Sequence, residues 1–146
     1  MEIELDLIDY VIVYFIAVFV FFAIDLVWLS VIAKEFYKKF LGKIMRKNED
    51  GNLSPRWLEA FVFYLIYIAG IVVFPLREAI QNDDLILAGL LGGLFGLFCY
   101  ATYDLTNRAT LEHFPLKVVI VDIIWGSLLT TLVSSLTAFI FLSVFL

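Results

Sequence analysis

Three aspartates, Asp25, Asp104 and Asp122, lie in or at the edge of long apolar runs, where a lipid-facing helix has no use for a charge. An acid at mid-membrane costs roughly 2.5–3.5 kcal/mol on insertion scales, so such residues face a protein interior, find partners and mark proton or solute sites. Two of them share a pattern: IDLVWLS contains Asp25, Trp28 and Ser30, and VDIIWGS contains Asp122, Trp125 and Ser127. Helical side chains lean toward the N-terminus, so each indole is expected to tilt back over the aspartate of its own helix, as a hydrogen-bond donor or as cover from lipid. Asp25 is the candidate proton carrier. It sits late in its helix, where the backbone dipole opposes negative charge, whereas Asp122 sits early, where the dipole helps.

The depths of these acids agree. With about 1.5 Å of rise per residue, Asp104 lies about 6 Å from the level of Arg108, Asp122 about 7.5 Å from Lys117 and Asp25 about 13 Å from Lys34, all on the side of the basic loops. The same half holds Tyr64, Tyr67, Tyr100 and Tyr103, with Glu59, Asn107 and His113 near its edge. Arg108, four residues after Asp104, is the expected ion-pair partner. His113 reads as an interfacial polar residue and Cys99 as a small packing residue. One histidine and no cysteine cluster give no basis for a transition-metal centre. No cofactor motif is present, and the expected partners are membrane lipids, not nucleic acid.

The elements that must position these residues follow from composition. Of 146 residues, 63% are hydrophobic and 17% charged, far more apolar than the roughly 45–50% of soluble domains. Residues 7–33, 57–76, 85–103 and 116–146 form runs able to span a hydrocarbon core, which takes about 20 residues of helix. The expectation is an all-α membrane protein: a four-transmembrane-helix bundle forming a single integral-membrane domain over 1–146. The acidic start MEIELDLIDY lacks the basic region of a signal peptide and the run after it is too long for a signal core, so the first helix is expected to remain in the mature protein. Nine of the ten Lys and Arg residues fall in the loops between runs one and two and between runs three and four, leaving only Arg77 among the acids of the other side. The positive-inside rule then places both termini outside and the basic loops in the cytoplasm.

Between the first two runs, KEFYKKFLGKIMRK sets Phe36, Tyr37, Phe40, Leu41, Ile44 and Met45 on one helical face and lysines on the other, the pattern of a short amphipathic helix in an anionic headgroup region. It reads as an anchor. Ser54 is the expected cap and Pro55 the first residue of the second helix, Trp57 sits at interface depth, and Pro75 closes that helix. In the third run Gly89, Gly93 and Gly96 share a face that continues through Tyr100, Tyr103 or Asp104, and Asn107. Small residues let membrane helices approach closely, so these glycines are read as packing elements. On the fourth run Gly126, Thr130, Ser134 and Thr137 extend the Asp122 face, as a close-packed seam in preference to the wall of a polar passage.

SPRWLEAFVFYLIYIAG, FGLFCYATYDLTNRATL and PLKVVIVDIIWG, together with DLVWL and FYKKFLG, resemble the domain of unknown function 2177 family across nearly the whole chain. Phe114 stands where that family is expected to carry a tryptophan. The resemblance implies a polytopic bacterial membrane protein, in the inner membrane, and brings no activity with it. Three functions compete: proton-coupled or small-molecule binding and transport, which four short helices would serve as a homodimer; a membrane-embedded lipid-modifying enzyme or its accessory, with paired carboxylates as acid and base; and a structural scaffold whose acids are helix-to-helix glue.

Overall fold

A computed structural model describes residues 3–146. Four helices long and apolar enough to cross a membrane run Leu7–Ile32, Trp57–Gln81, Leu85–Thr110 and Leu116–Val144. Within them α1 is Leu7–Val27 followed by a π-helical turn, Trp28–Ile32; α2 is the short helix Lys34–Leu41; α3 is Trp57–Ile71, followed by a π-helical turn, Val72–Leu76, and α4, Arg77–Gln81; α5 is Leu85–Thr110 and α6 is Leu116–Val144. α6 packs on α1 and α5, and the second span touches α1 on one side and α5 on the other, closing a ring of four.

Acids begin two of these helices. The Asp6 carboxylate accepts from the backbone N–H groups of Ile8 and Asp9 at 2.8 and 2.9 Å, while the Asp9 carboxylate accepts from Asp6 N–H at 2.9 Å, a reciprocal capping box. Asp84 caps α5 through Ile86 and Leu87, both at 2.9 Å. Much of the acidity at this end of the bundle therefore has a structural use: carboxylates satisfy N–H groups that a helix start leaves without partners.

The second span departs from expectation at both ends. Ser54 does not cap it, and Pro55 is not its first residue. Ser54 N–H donates to the Arg46 carbonyl at 3.0 Å and the Lys47–Leu53 bridge closes the loop, which leaves Ser54 and Pro55 outside the helix. α3 starts at Trp57 after Arg56, with no side-chain cap. Pro75 does not close the span either. Val72–Leu76 widens into a π turn that contains the proline, and the helix continues to Gln81, since a π turn absorbs the lost N–H and the ring clash that would break a regular α-helix.

The core is apolar, built around Phe21, Ile68, Ile71, Leu76, Leu129 and Phe141, all fully buried. Around the outside, large apolar side chains such as Phe19, Phe61, Ile66, Ile86 and Phe139 stand exposed. In water a belt of this kind would drive aggregation. In a bilayer it is the lipid face.

α5 and α6 make the closest approach. A Cβ on Gly92 would lie 2.6 Å from the Thr130 carbonyl oxygen and 2.5 Å from Ser134 Oγ, and one on Gly96 would collide with the Gly126 carbonyl. Gly92 and Gly96 are the buried glycines of this seam, with Gly89 and Gly93 half-buried beside them. Gly126 faces the Tyr100 ring, which occupies the space a side chain there would need.

α2 ends at Leu41, with Gly42 as its C-cap and Ile44 and Met45 in the turn beyond. Its apolar residues Phe36, Tyr37, Phe40 and Leu41 pack on Phe114, Val118 and Val119 at the start of α6. The apolar face is thus folded against its own chain, and this carries Tyr37 inward.

Candidate functional site

Of the three aspartates, Asp25 is 4% exposed and Asp104 0%, while Asp122 is half-buried. Each has a different environment. The Asp25 carboxylate accepts a hydrogen bond from the Tyr64 hydroxyl at 2.9 Å and another from the Trp125 indole at 3.3 Å. Asp122 accepts from the Tyr37 hydroxyl, which in turn accepts from the Trp28 indole at 3.2 Å. Neither Asp104 oxygen has an N–H or hydroxyl donor. The charged group that acts on Asp104 is the carboxyl group of Asp122 on the neighbouring helix. Ionised carboxylates are acceptors only, so this contact is a hydrogen bond only when a proton lies between the two.

The repeated Asp-x-x-Trp units are crossed. Each indole was expected over the aspartate of its own helix, but Trp125 of α6 donates to Asp25 of α1, and Trp28 reaches Asp122 only through Tyr37. The cause is the stacking of the two indoles, whose ring centroids are 4.1 Å apart and nearly parallel at 7°. Stacked across the helix interface, the Trp125 N–H is turned toward Asp25 of α1 and the Trp28 N–H toward Tyr37 of α2.

Tyr37 was not anticipated as part of the site. Its signal was present: a hydroxyl on the apolar face of an amphipathic helix needs a partner once that face is buried. Burial, and then its bond to Asp122, push the Tyr37 phenol above the ordinary tyrosine range, so it remains a neutral donor throughout the physiological pH range. Tyr37→Phe deletes the one hydroxyl donor to Asp122 and the acceptor of Trp28. Unfolding in detergent is expected to show a loss of about 1.5–3 kcal/mol, the usual worth of a hydrogen bond to a charged group, and an unchanged midpoint would remove Tyr37 from the network.

Two more tyrosines complete the cluster. Tyr67 donates to Thr130 Oγ1 at 2.7 Å, since Thr130 spends its own proton on the Gly126 carbonyl at 2.8 Å. Tyr100 lies edge-on to Tyr67 with ring centroids 6.1 Å apart, within electrostatic reach of Asp25, Tyr64 and Tyr37. From Asp122 the same face of α6 continues through Thr130, Ser134 and Thr137, all 0% exposed, and the hydroxyls of Ser134 and Thr137 have no hydrogen-bond partner. A file of buried hydroxyls therefore leads along the bundle away from the acid pair.

Three anticipated residues lie elsewhere. Arg108 does not pair with Asp104: its guanidinium donates to the Phe114 carbonyl at 2.6 Å, tying down the turn into α6. Bringing it to Asp104 would draw an exposed cation into the core. Tyr103 is 64% exposed, because one residue from the inward-facing Asp104 the helix has turned by about 100°. Asn107 is half-buried and, among the described residues, outside the hydrogen-bond network. Glu59 pairs with Arg56 at 4.0 Å on the surface, the sole ion pair among the described residues. No three acidic, histidine or cysteine side chains among them converge to hold a metal ion. The acids are a pair plus one.

Fold and site together define a multi-pass, four-helix integral membrane protein with a buried acidic and aromatic cluster and, among the described residues, no basic counterpart inside it. A family model described as "Predicted membrane protein (DUF2177)" matches residues 10–139, nearly the entire chain, and the protein belongs to that family. No curated protein and no solved structure matches it.

Proposed function

We propose that the protein moves protons, alone or coupled to a solute, through the interior of a single four-helix bundle. The observation that carries this reading is Asp104: a fully buried carboxyl group whose polar neighbour is a second carboxyl group, at the foot of a file of buried hydroxyls of which two lack partners. Acids inside membrane helices that pair with one another are the usual parts of proton relays, and hydroxyls with no fixed partner are free to rotate as donor or acceptor. Asp25, held by Tyr64 and Trp125, is the second station. The stations named so far, Asp25, Asp104, Asp122 and the buried hydroxyls of α6, belong to one copy of the chain. The bias of Lys and Arg supports an orientation with both termini outside, which would put the acid cluster in the cytoplasmic half of a bacterial inner membrane.

The test is proton flux into liposomes containing the purified protein under an imposed pH gradient, with and without valinomycin and potassium to set the membrane potential. Wild type is expected to conduct above empty vesicles, and the double variant Ser134→Ala, Thr137→Val to conduct less while unfolding at the same midpoint. No flux from wild type under either gradient, or an undiminished flux in the double variant, would sink the proposal.

A further inference from the structure

At the end of the bundle opposite the acid pair, the second span and α5 part around an open groove of about 540 Å³, within the roughly 300–1,000 Å³ of ligand sites. The π turn creates it. Val72–Leu76 buries Pro75 and Leu76 and leaves Phe74 65% exposed, where its ring stacks on Phe95 with centroids 5.9 Å apart. Below, the walls are apolar, Phe74, Phe95 and Phe98 among them, and above them the rim is polar, formed by Arg77, Glu78 and Gln81. Along α5 the apolar wall from Leu91 to Phe98 extends about 10 Å, along the direction a lipid chain takes in the bilayer.

The rim has an unusual charge pattern. Arg77 is the only cation in its part of the chain, between Arg56 and Arg108, and it makes no ion pair among the described residues. Glu78 stands beside it, and Asp83 and Asp84 follow in the turn. A guanidinium at the membrane edge is suited to a phosphate, which it grips with two parallel N–H donors. The neighbouring carboxylates disfavour a headgroup whose net charge is negative. They favour one that places a cation next to its phosphate, and a primary ammonium offers three N–H donors.

We propose that this groove holds one phospholipid with a zwitterionic, primary-ammonium headgroup: its phosphate on Arg77, its ammonium on Glu78 and the Gln81 side-chain carbonyl, and one acyl chain against Phe74, Phe95 and Phe98. The groove is lined by none of the acids or hydroxyls of the proton pathway, and its test does not depend on that pathway.

Native mass spectrometry of the detergent-purified protein, offered equal amounts of phosphatidylethanolamine, phosphatidylglycerol and phosphatidylcholine of matched chain length, reads it directly. Wild type is expected to retain the ethanolamine lipid over the other two. Arg77→Gln is expected to lower retention about tenfold, the equilibrium change that accompanies loss of one charge-assisted contact. Glu78→Gln keeps the phosphate contact and is expected to lose the preference for ethanolamine over glycerol. Both residues are exposed, so neither change removes a core contact. Equal retention of the three lipids by wild type, an Arg77→Gln protein that binds as well as wild type, or a Glu78→Gln protein with its preference intact would each overturn the assignment.

Discussion

Replacing Gly96 with alanine is expected to cost about 1–3 kcal/mol of folding free energy, the range for forcing extra methylenes into a packed interior. The added carbon would collide with the Gly126 carbonyl and lie 2.7 Å from Thr130 Oγ1. Backbone cannot swing aside as a side-chain tip does, so α5 and α6 must move apart along the seam that also aligns Asp104 with Asp122. The same substitution at Gly89 meets Ser135 Oγ at 3.0 Å and Thr131 Cγ2 at 3.6 Å, contacts that a hydroxyl can relieve by rotating. There the better helix propensity of alanine, up to about 1 kcal/mol, opposes the strain and the net change is expected to be small. Unfolding midpoints of the two variants in one detergent test the distinction. Equal shifts at the two positions would show that Gly96 is not the point of closest approach.

Asp104→Asn is expected to abolish proton flux while leaving the fold as stable as before, or more so by about 1 kcal/mol. In wild type the buried carboxyl group has no N–H or hydroxyl donor and meets Asp122 only through a shared proton; without that proton it is unsatisfied, which costs about 1–3 kcal/mol for a buried polar group. An amide has the same shape and brings two N–H donors, one of which can meet Asp122 across the gap that the carboxyl group now spans. It cannot release a proton. Retained flux in a folded Asp104→Asn protein would remove this residue from the relay. Reduced stability together with reduced flux would instead assign the acids to helix-to-helix adhesion, the scaffold reading. At Asp25 the opposite outcome is expected for stability, because Asn would turn acceptor atoms away from Tyr64 and Trp125, both of which donate to it.

The spans were legible because twenty or so apolar residues in sequence have few other uses, and the four helices fall where hydropathy alone places them. The acids were legible for the converse reason: an aspartate among Phe, Val and Leu is costly wherever it is not functional or paired. What depends on the rotation of one helix against another was not. Tyr103 and Asp104 are adjacent in the chain, yet one faces out and the other is buried. Gly92 was passed over in favour of Gly89 and Gly93, which share its helix and flank its face. Arg108 has the spacing of an ion-pair partner, but the carbonyl of Phe114 in the next turn claims it. Pro75 looked like a helix stop because a π turn leaves no mark in hydropathy. The crossing of the two Asp-x-x-Trp units had to await the geometry, since it comes from stacking between residues 97 positions apart, Trp28 and Trp125.

That stack gives the molecule an optical property of its own. Two indole rings held face to face at 4.1 Å couple as a single exciton, so that their near-ultraviolet absorption and circular dichroism differ from those of two isolated indoles and depend on how one ring is turned over the other. The third tryptophan, Trp57, lies 75% exposed at the start of α3 and adds only an uncoupled background. Because one partner of the pair belongs to the first span and the other to the last, this signal reports whether those two spans are in register. A sliding or rocking of α1 against α6 would be visible in the native chain, without a dye, a spin label or an engineered cysteine.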